Sequence, residues 1–149
     1  MNDEAPRGGS GDRRGLVLFA HGARDAAWAA PFRAVAERVR GQRPGVHVEL
    51  AFLEFMNPDL ADAVATLLAA GCTTIDIVPL FLGGGGHVRR DVPVLVDTMR
   101  AAHPGRTFRL HAAAGETAVV IDALAAAARA FVDSPSLPGL SVLPGPTAP

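Results

Sequence analysis

Two histidines stand where apolar runs give way to glycine: His21 in His21-Gly22-Ala23-Arg24-Asp25, and His87 in Gly83-Gly84-Gly85-Gly86-His87-Val88-Arg89-Arg90-Asp91. Imidazole is the commonest transition-metal ligand among side chains and changes charge near neutral pH, so a facing pair could hold a divalent metal or move protons. Glu54, in Phe52-Leu53-Glu54-Phe55-Met56-Asn57, is a carboxylate flanked by apolar residues. Desolvation there would make it a readier proton acceptor or an occasional metal ligand. Arg24, Arg89 and Arg90 lie two or three residues from the histidines, and guanidinium offers paired donors to carboxylates or phosphates. Phe52, Phe55 and Phe81 supply apolar walls for a flat ligand, and the glycine run, Gly85 and Gly86 included, permits close backbone approach and a flexible lid. Spacing alone leaves plainer readings open: a helix cap for His21, a solvated loop position for His87, solvation for Glu54 and the arginines, and core packing for each ring.

Composition removes several classes of chemistry. All 14 basic residues are Arg, so no lysine can form a Schiff base or serve a Walker-type phosphate loop. The glycine run is not a dinucleotide loop either, since GxGxxG read from Gly83 or Gly84 needs glycine where Val88 or Arg89 stands. Cys72 is the single cysteine and Tyr is absent, which excludes a disulfide framework and a cysteine zinc cage and fits a reducing, cytoplasmic setting. A formal charge of -1 and a pI near 6.5 give no footprint for nucleic acid. No run is long and apolar enough to span a bilayer, and the polar N-terminus lacks the apolar region of a signal peptide, so a soluble protein without a membrane partner is expected.

The elements that must position the histidines follow from periodicity. At 149 residues, with 49% hydrophobic and 19% charged residues, the chain suits one globular domain. The expected boundaries are a flexible N-terminal tail over 1–14, the domain over 15–132 and a flexible proline-rich tail over 133–149. Strand-like runs open at Gly15, Val46, Thr74 and Thr107, 31, 28 and 33 residues apart, the spacing of consecutive βαβ units. Between them Trp28, Phe32, Val35, Ala36 and Val39 form one helical stripe, and Leu60, Val64, Leu67 and Leu68 another, capped by Asn57-Pro58. Asp91 is the expected cap of a third helix with Val92, Leu95, Val96 and Met99 inward; a fourth runs from Thr117 to Phe131 with Ile121, Leu124 and Ala128 on its apolar face. The expected architecture is a three-layer α/β sandwich, chelatase-like or flavodoxin-like, with a four-stranded parallel sheet in the order 2-1-3-4 flanked by helices. Ligands of such sheets bind beyond the carboxyl ends of the strands where the order reverses, and both histidine loops lie there.

The blocks Leu18-Phe19-Ala20-His21-Gly22-Ala23-Arg24-Asp25, Ala51-Phe52-Leu53-Glu54-Phe55, Val78-Pro79-Leu80-Phe81-Leu82 and Gly85-Gly86-His87-Val88-Arg89-Arg90-Asp91-Val92-Pro93 resemble the CbiX/SirB family of class II chelatases over nearly all of 15–131. The resemblance implies insertion of Co²⁺ or Fe²⁺, or Ni²⁺ in archaeal relatives, into a sirohydrochlorin-type tetrapyrrole for cobalamin or siroheme synthesis. It implies a metal held as substrate by His21 and His87, an acidic Glu54 in the tetrapyrrole cleft, no organic cofactor, and a homodimer of the short form. Arg24, Arg89 and Arg90 are then suited to the carboxylates of an anionic tetrapyrrole. Two departures are Ala23, where many members have Ser, and the unusually glycine-rich Gly83 to Gly86 loop. A metal or tetrapyrrole carrier without turnover, and a flavodoxin-like module holding a phosphoanion on the glycine loop, are the alternatives.

Overall fold

The computed structural model describes residues 11–133; residues 1–10 and 134–149, most of the tails expected over 1–14 and 133–149, lie outside the described residues. Four strands, β1 (Arg14–Ala20), β2 (His47–Phe52), β3 (Thr74–Pro79) and β4 (Thr107–Leu110), form one sheet in the order β2-β1-β3-β4, every neighbour pair parallel. A short 3-10 turn, Ala26–Ala29, leads into α1 (Ala30–Gln42). Helices α2 (Leu60–Ala69), α3 (Gly86–Ala102) and α4 (Ala118–Asp133) complete the described residues, α4 following a second 3-10 turn at Ala114–Glu116.

Alternation along the strands splits the core in two. Val17, Phe19, Ile75, Ile77 and Phe108 face α2 and α3, packing against Val64, Leu67, Val92 and Val96. Leu18, Ala20, Leu50 and Phe52 face Trp28 and Ala29 of the 3-10 turn and Phe32 and Ala36 of α1. Removing such a buried side chain costs about 2–5 kcal/mol, so each half of the core fixes its own side of the sheet.

Several boundaries differ from expectation for local reasons. Asp59, not Asn57, caps α2, its carboxylate accepting from the Asp62 amide at 2.9 Å, while Pro58 stands in the preceding turn with its carbonyl accepting from Phe52. Helix α3 starts at Gly86 rather than after Asp91, because the Arg89 amide already donates to the Gly85 carbonyl at 3.0 Å. Val35 and Leu95, expected inward, are exposed at the margins of their helical stripes. Strand β3 ends at Pro79, short of Leu82, although Leu80 still donates to the Phe19 carbonyl.

The largest departure is α4. It was expected to cover the sheet, yet none of its residues is buried, and Ile121 and Leu124 are 53% and 50% exposed. The half-face it would cover, on the α1 side of β3 and β4, carries Val78 and, just past β3, Leu80, both partly buried, beside the partly buried Leu16 of β1 and a polar cluster. There Asp76 accepts from Arg14 at 2.5 Å and pairs with His111 at 2.7 Å. Residues 12–14, assigned by composition to the tail, are therefore structured: Arg14 opens β1, Arg13 donates to the Ala70 carbonyl, and Asp12 accepts from the Thr73 and Thr74 hydroxyls.

Burial by itself would raise the pKa of Asp76, but hydrogen bonds from His111 and Arg14, with their charges, outweigh it and hold the carboxyl below its ordinary value. The stability this supplies is fully present above the unfolded-state value of about 3.9 and is lost as pH falls through the lower folded value. Urea unfolding of Asp76→Asn should accordingly show a loss of about 1–3 kcal/mol at pH 7, with a shallower decline than the parent below about pH 4.

Candidate functional site

The carboxyl ends of β1 and β2 are joined backbone to backbone. Leu53 donates to the Ala20 carbonyl at 2.9 Å and Glu54 to the His21 carbonyl at 3.0 Å, extending the β1–β2 ladder past both strands. Gly22 follows with φ 95°, and a Cβ there would stand 1.9 Å from the Glu54 carbonyl oxygen. Only glycine permits both the conformation and the approach. The contact brings His21 Nε2 to 2.8 Å from Glu54 Oε1, with the two side chains 40% and 47% exposed. Glu54 is thus paired and half in solvent, not enclosed by the neighbouring rings as expected.

The chain reverses next in a tight turn. Met56 donates to the Glu54 carbonyl at 2.9 Å, making Phe55, at φ 63°, the centre of a γ-turn with a positive φ. That turn is rare and strained for a residue carrying a side chain, by about 1–2 kcal/mol. The Phe55 ring is 58% exposed, and the Arg24 guanidinium carbon lies 5.0 Å from its centroid. Asp25 caps the 3-10 turn by accepting from Ala27 at 2.9 Å, so His21 is not needed as a cap.

On the other side of His21 lies the segment after β3. The Phe81 ring sits edge-on to the imidazole, centroids 6.2 Å apart. Gly115 donates to the Phe81 carbonyl at 2.8 Å and packs against Leu82 so closely that a Cβ would meet its carbonyl oxygen at 2.3 Å. Arg89 reaches back to the Gly84 carbonyl at 3.1 Å and across to Glu116 at 2.8 Å. The glycine loop is therefore held at both ends, and His87 is the second residue of α3. A hollow of about 470 Å³ lies between these segments, lined by His21, Trp28, Phe32, Leu80, Phe81, Leu82, Gly83, Gly85 and Val88.

Of the residues selected by sequence, His21, Glu54, Phe81 and Gly85 come together here. Arg24 is exposed against the Phe55 ring, Gly86 opens α3, and Arg90 is exposed on its first turns. Arg89 is engaged by Glu116. Phe52 is a correction: it is 2% exposed beneath α1 and packs in the core rather than lining the site, because its strand register points it to that layer. Sequence reasoning missed Trp28, Phe32 and Leu80 as walls, since they read as core stripe, and missed the Arg89–Glu116 pairing, for which only the position of Glu116 after β4 was a signal. Among the described residues no three His, Cys, Asp or Glu converge as a metal-binding group. Burial pushes the Cys72 thiol up, which keeps it protonated and unreactive.

The fold recurs in known proteins. A family model described as CbiX matches residues 15–130. A sirohydrochlorin cobaltochelatase of Saccharolobus solfataricus is 34% identical over 100 residues, covering 64% of this chain and 77% of that protein. One of Methanococcus aeolicus is 33% identical over 81 residues, 54% of this chain and 57% of its own length. A solved structure from Marinobacter aquaeolei, described under the CbiX name and cobalamin biosynthesis, superposes with a TM-score of 0.71 at 29% identity over 80% of this chain and 98% of its own. Bacillus subtilis subspecies spizizenii SirB, solved with cobalt, shares the fold with a TM-score of 0.69 at 20% identity, this chain spanning half of it.

Gly22→Ala should lower stability by about 2–4 kcal/mol through the forced separation of the two loops. Gly83→Ala, where an added methyl meets nothing within 4 Å, should stay within about 0.5 kcal/mol; parallel urea titrations compare them.

Proposed function

This chain belongs to the CbiX family, and from that membership we propose that it inserts a divalent metal, Co²⁺ or Fe²⁺, into a sirohydrochlorin-type tetrapyrrole in cobalamin or siroheme synthesis. The observation that carries the reading is the His21–Glu54 pair, 2.8 Å apart and half-exposed at the point where the strand order reverses. Insertion exchanges one divalent metal for two pyrrole protons, so the site must hold a metal loosely and accept protons beside the macrocycle. Neutral imidazoles of His21 and His87 hold a borderline metal without the tight grip of thiolates. Glu54 takes a proton within reach of the same centre. Phe81 walls the cleft, Gly85 and Gly86 admit the macrocycle edge, and Arg24, Arg89 and Arg90 meet its carboxylates. No organic cofactor enters this scheme, and the metal is a substrate.

The catalytic unit in this reading is the 15–132 domain working as a homodimer in the cytoplasm. What supports the homodimer, among the described residues, is a helix with no buried residue and a half-face only partly covered: α4 carries Ile121 and Leu124 half-exposed, while Leu16, Val78 and Leu80 are partly buried. Two copies exchanging α4 would satisfy both surfaces with one two-fold contact. Supporting the cytoplasmic setting is a single, buried, free thiol. Among the described residues no helix is long and apolar enough to cross a membrane.

Catalytic amounts of the protein, mixed anaerobically with excess sirohydrochlorin and Co²⁺, should give many turnovers above the protein-free rate, followed by macrocycle absorption; conversion that stops near one equivalent would make it a carrier. Loss of turnover by about 100-fold or more is expected for Glu54→Gln and for His87→Ala with circular dichroism unchanged. Leu124→Glu should shift sedimentation from dimer to monomer; a parent chain that sediments as a monomer would overturn the oligomeric part.

A further inference from the structure

The Phe55 ring is explained neither by the core nor by its turn. It is 58% exposed, and its backbone is held at φ 63°, a conformation glycine would adopt without strain. Amide bonds from Leu53, Glu54 and Met56 impose that conformation, so the strain is sustained directly beside Glu54 and presents a large aromatic surface to solvent. Arg24 lies with its guanidinium carbon 5.0 Å from the ring centroid. Stacking engages the face of a guanidinium and not its N–H edge, the part that recognises carboxylate.

Sheet order places this pair relative to the rest of the site. With β1 between β2 and β3, the Phe55 turn after β2 and the glycine loop after β3 flank His21 from opposite sides. A flat ligand lying across the strand ends therefore meets Gly83 to Gly86 at one edge and Phe55 at the other. We propose that Phe55 and Arg24 form a substrate clamp: one face of the ring stacks on the macrocycle while the N–H edge of the guanidinium, left free by its own stacking on the ring, meets a peripheral carboxylate, selecting planar polycarboxylates over planar apolar molecules. This deepens the tetrapyrrole reading above and rests on it.

The test is binding to the full metal-free chain, where no insertion occurs. The probes are an octacarboxylate porphyrin, uroporphyrin, and a dicarboxylate one, mesoporphyrin, titrated by fluorescence. Parent protein should favour the octacarboxylate. Phe55→Gly should weaken both probes by about tenfold without lowering the melting temperature, since glycine relieves the turn; Phe55→Tyr should restore binding to within about threefold of the parent. Arg24→Gln should weaken the octacarboxylate by about tenfold and the dicarboxylate far less. Parent-like affinity in Phe55→Gly, or weaker binding accompanied by a lower melting temperature, would overturn the clamp while leaving the tetrapyrrole reading intact. A parent chain that binds neither porphyrin and inserts no metal would remove that reading itself.

Discussion

The arrangement depends on the closeness of Gly22 to the carbonyl of Glu54. Two parallel strands normally separate once their ladder ends, and their loops then find independent courses. Here the ladder continues for two more amides, through Leu53 and Glu54, and the missing Cβ of Gly22 lets the loops touch. The imidazole and the carboxylate therefore meet as a result of main-chain geometry, not of side chains searching for one another. Side-chain ordering entropy, which weakens most half-exposed pairs, is reduced when both backbones are fixed first. Gly115 on Leu82 does the corresponding work on the other side of the cleft, so two glycines set the distance across which a ligand must fit.

The sheet itself is unequally dressed. Among the described residues, one face has two helices and a continuous apolar core, while the other has α1 over β1 and β2 and leaves β3 and β4 bare. The bare region is chemically mixed, with Val78 and Leu80 at the carboxyl end of β3 and the Arg14–Asp76–His111 cluster beside them, level with Leu16 of β1. Polar groups that satisfy one another within the face make a bare region tolerable in a single chain. The apolar remainder lies beside Trp28 and Phe32, which stack at 4.5 Å between ring centroids and wall the hollow at His21. Whatever covers β3 and β4 therefore also shapes one wall of the cleft.

Sequence periodicity was a reliable guide to the fold because parallel strands buried on both faces, such as Val17-Leu18-Phe19-Ala20, read as unbroken apolar runs, and because strand spacing leaves room for little but crossover helices. Helix α4 exposes the limit of that reasoning. Ile121, Leu124 and Ala128 form a good amphipathic stripe, but a stripe reports that a face will be buried and not which molecule buries it. Cap positions failed on competition between adjacent candidates, Asp59 against Asn57 and Gly85 against Asp91, settled by which oxygen reaches an amide. In the site, His21 and Glu54 were legible as strand-end residues; Phe52 was not, because its burial follows from a one-residue alternation that a strand end obscures. The positive φ of Phe55 had no sequence signal, since glycine or asparagine would be the usual occupant.

The exposure of the His21–Glu54 pair has a bearing on proton traffic. Buried acid–base centres need a relay of side chains or ordered waters to export what they accept, and that relay can limit the whole cycle. With about two-fifths of the imidazole and nearly half of the carboxylate side chain in contact with solvent, a proton that either group accepted in the proposed insertion would pass straight to buffer. Resetting the pair would then cost a diffusion step and no conformational one, and the acid–base half of that reaction would be coupled directly to the surrounding medium.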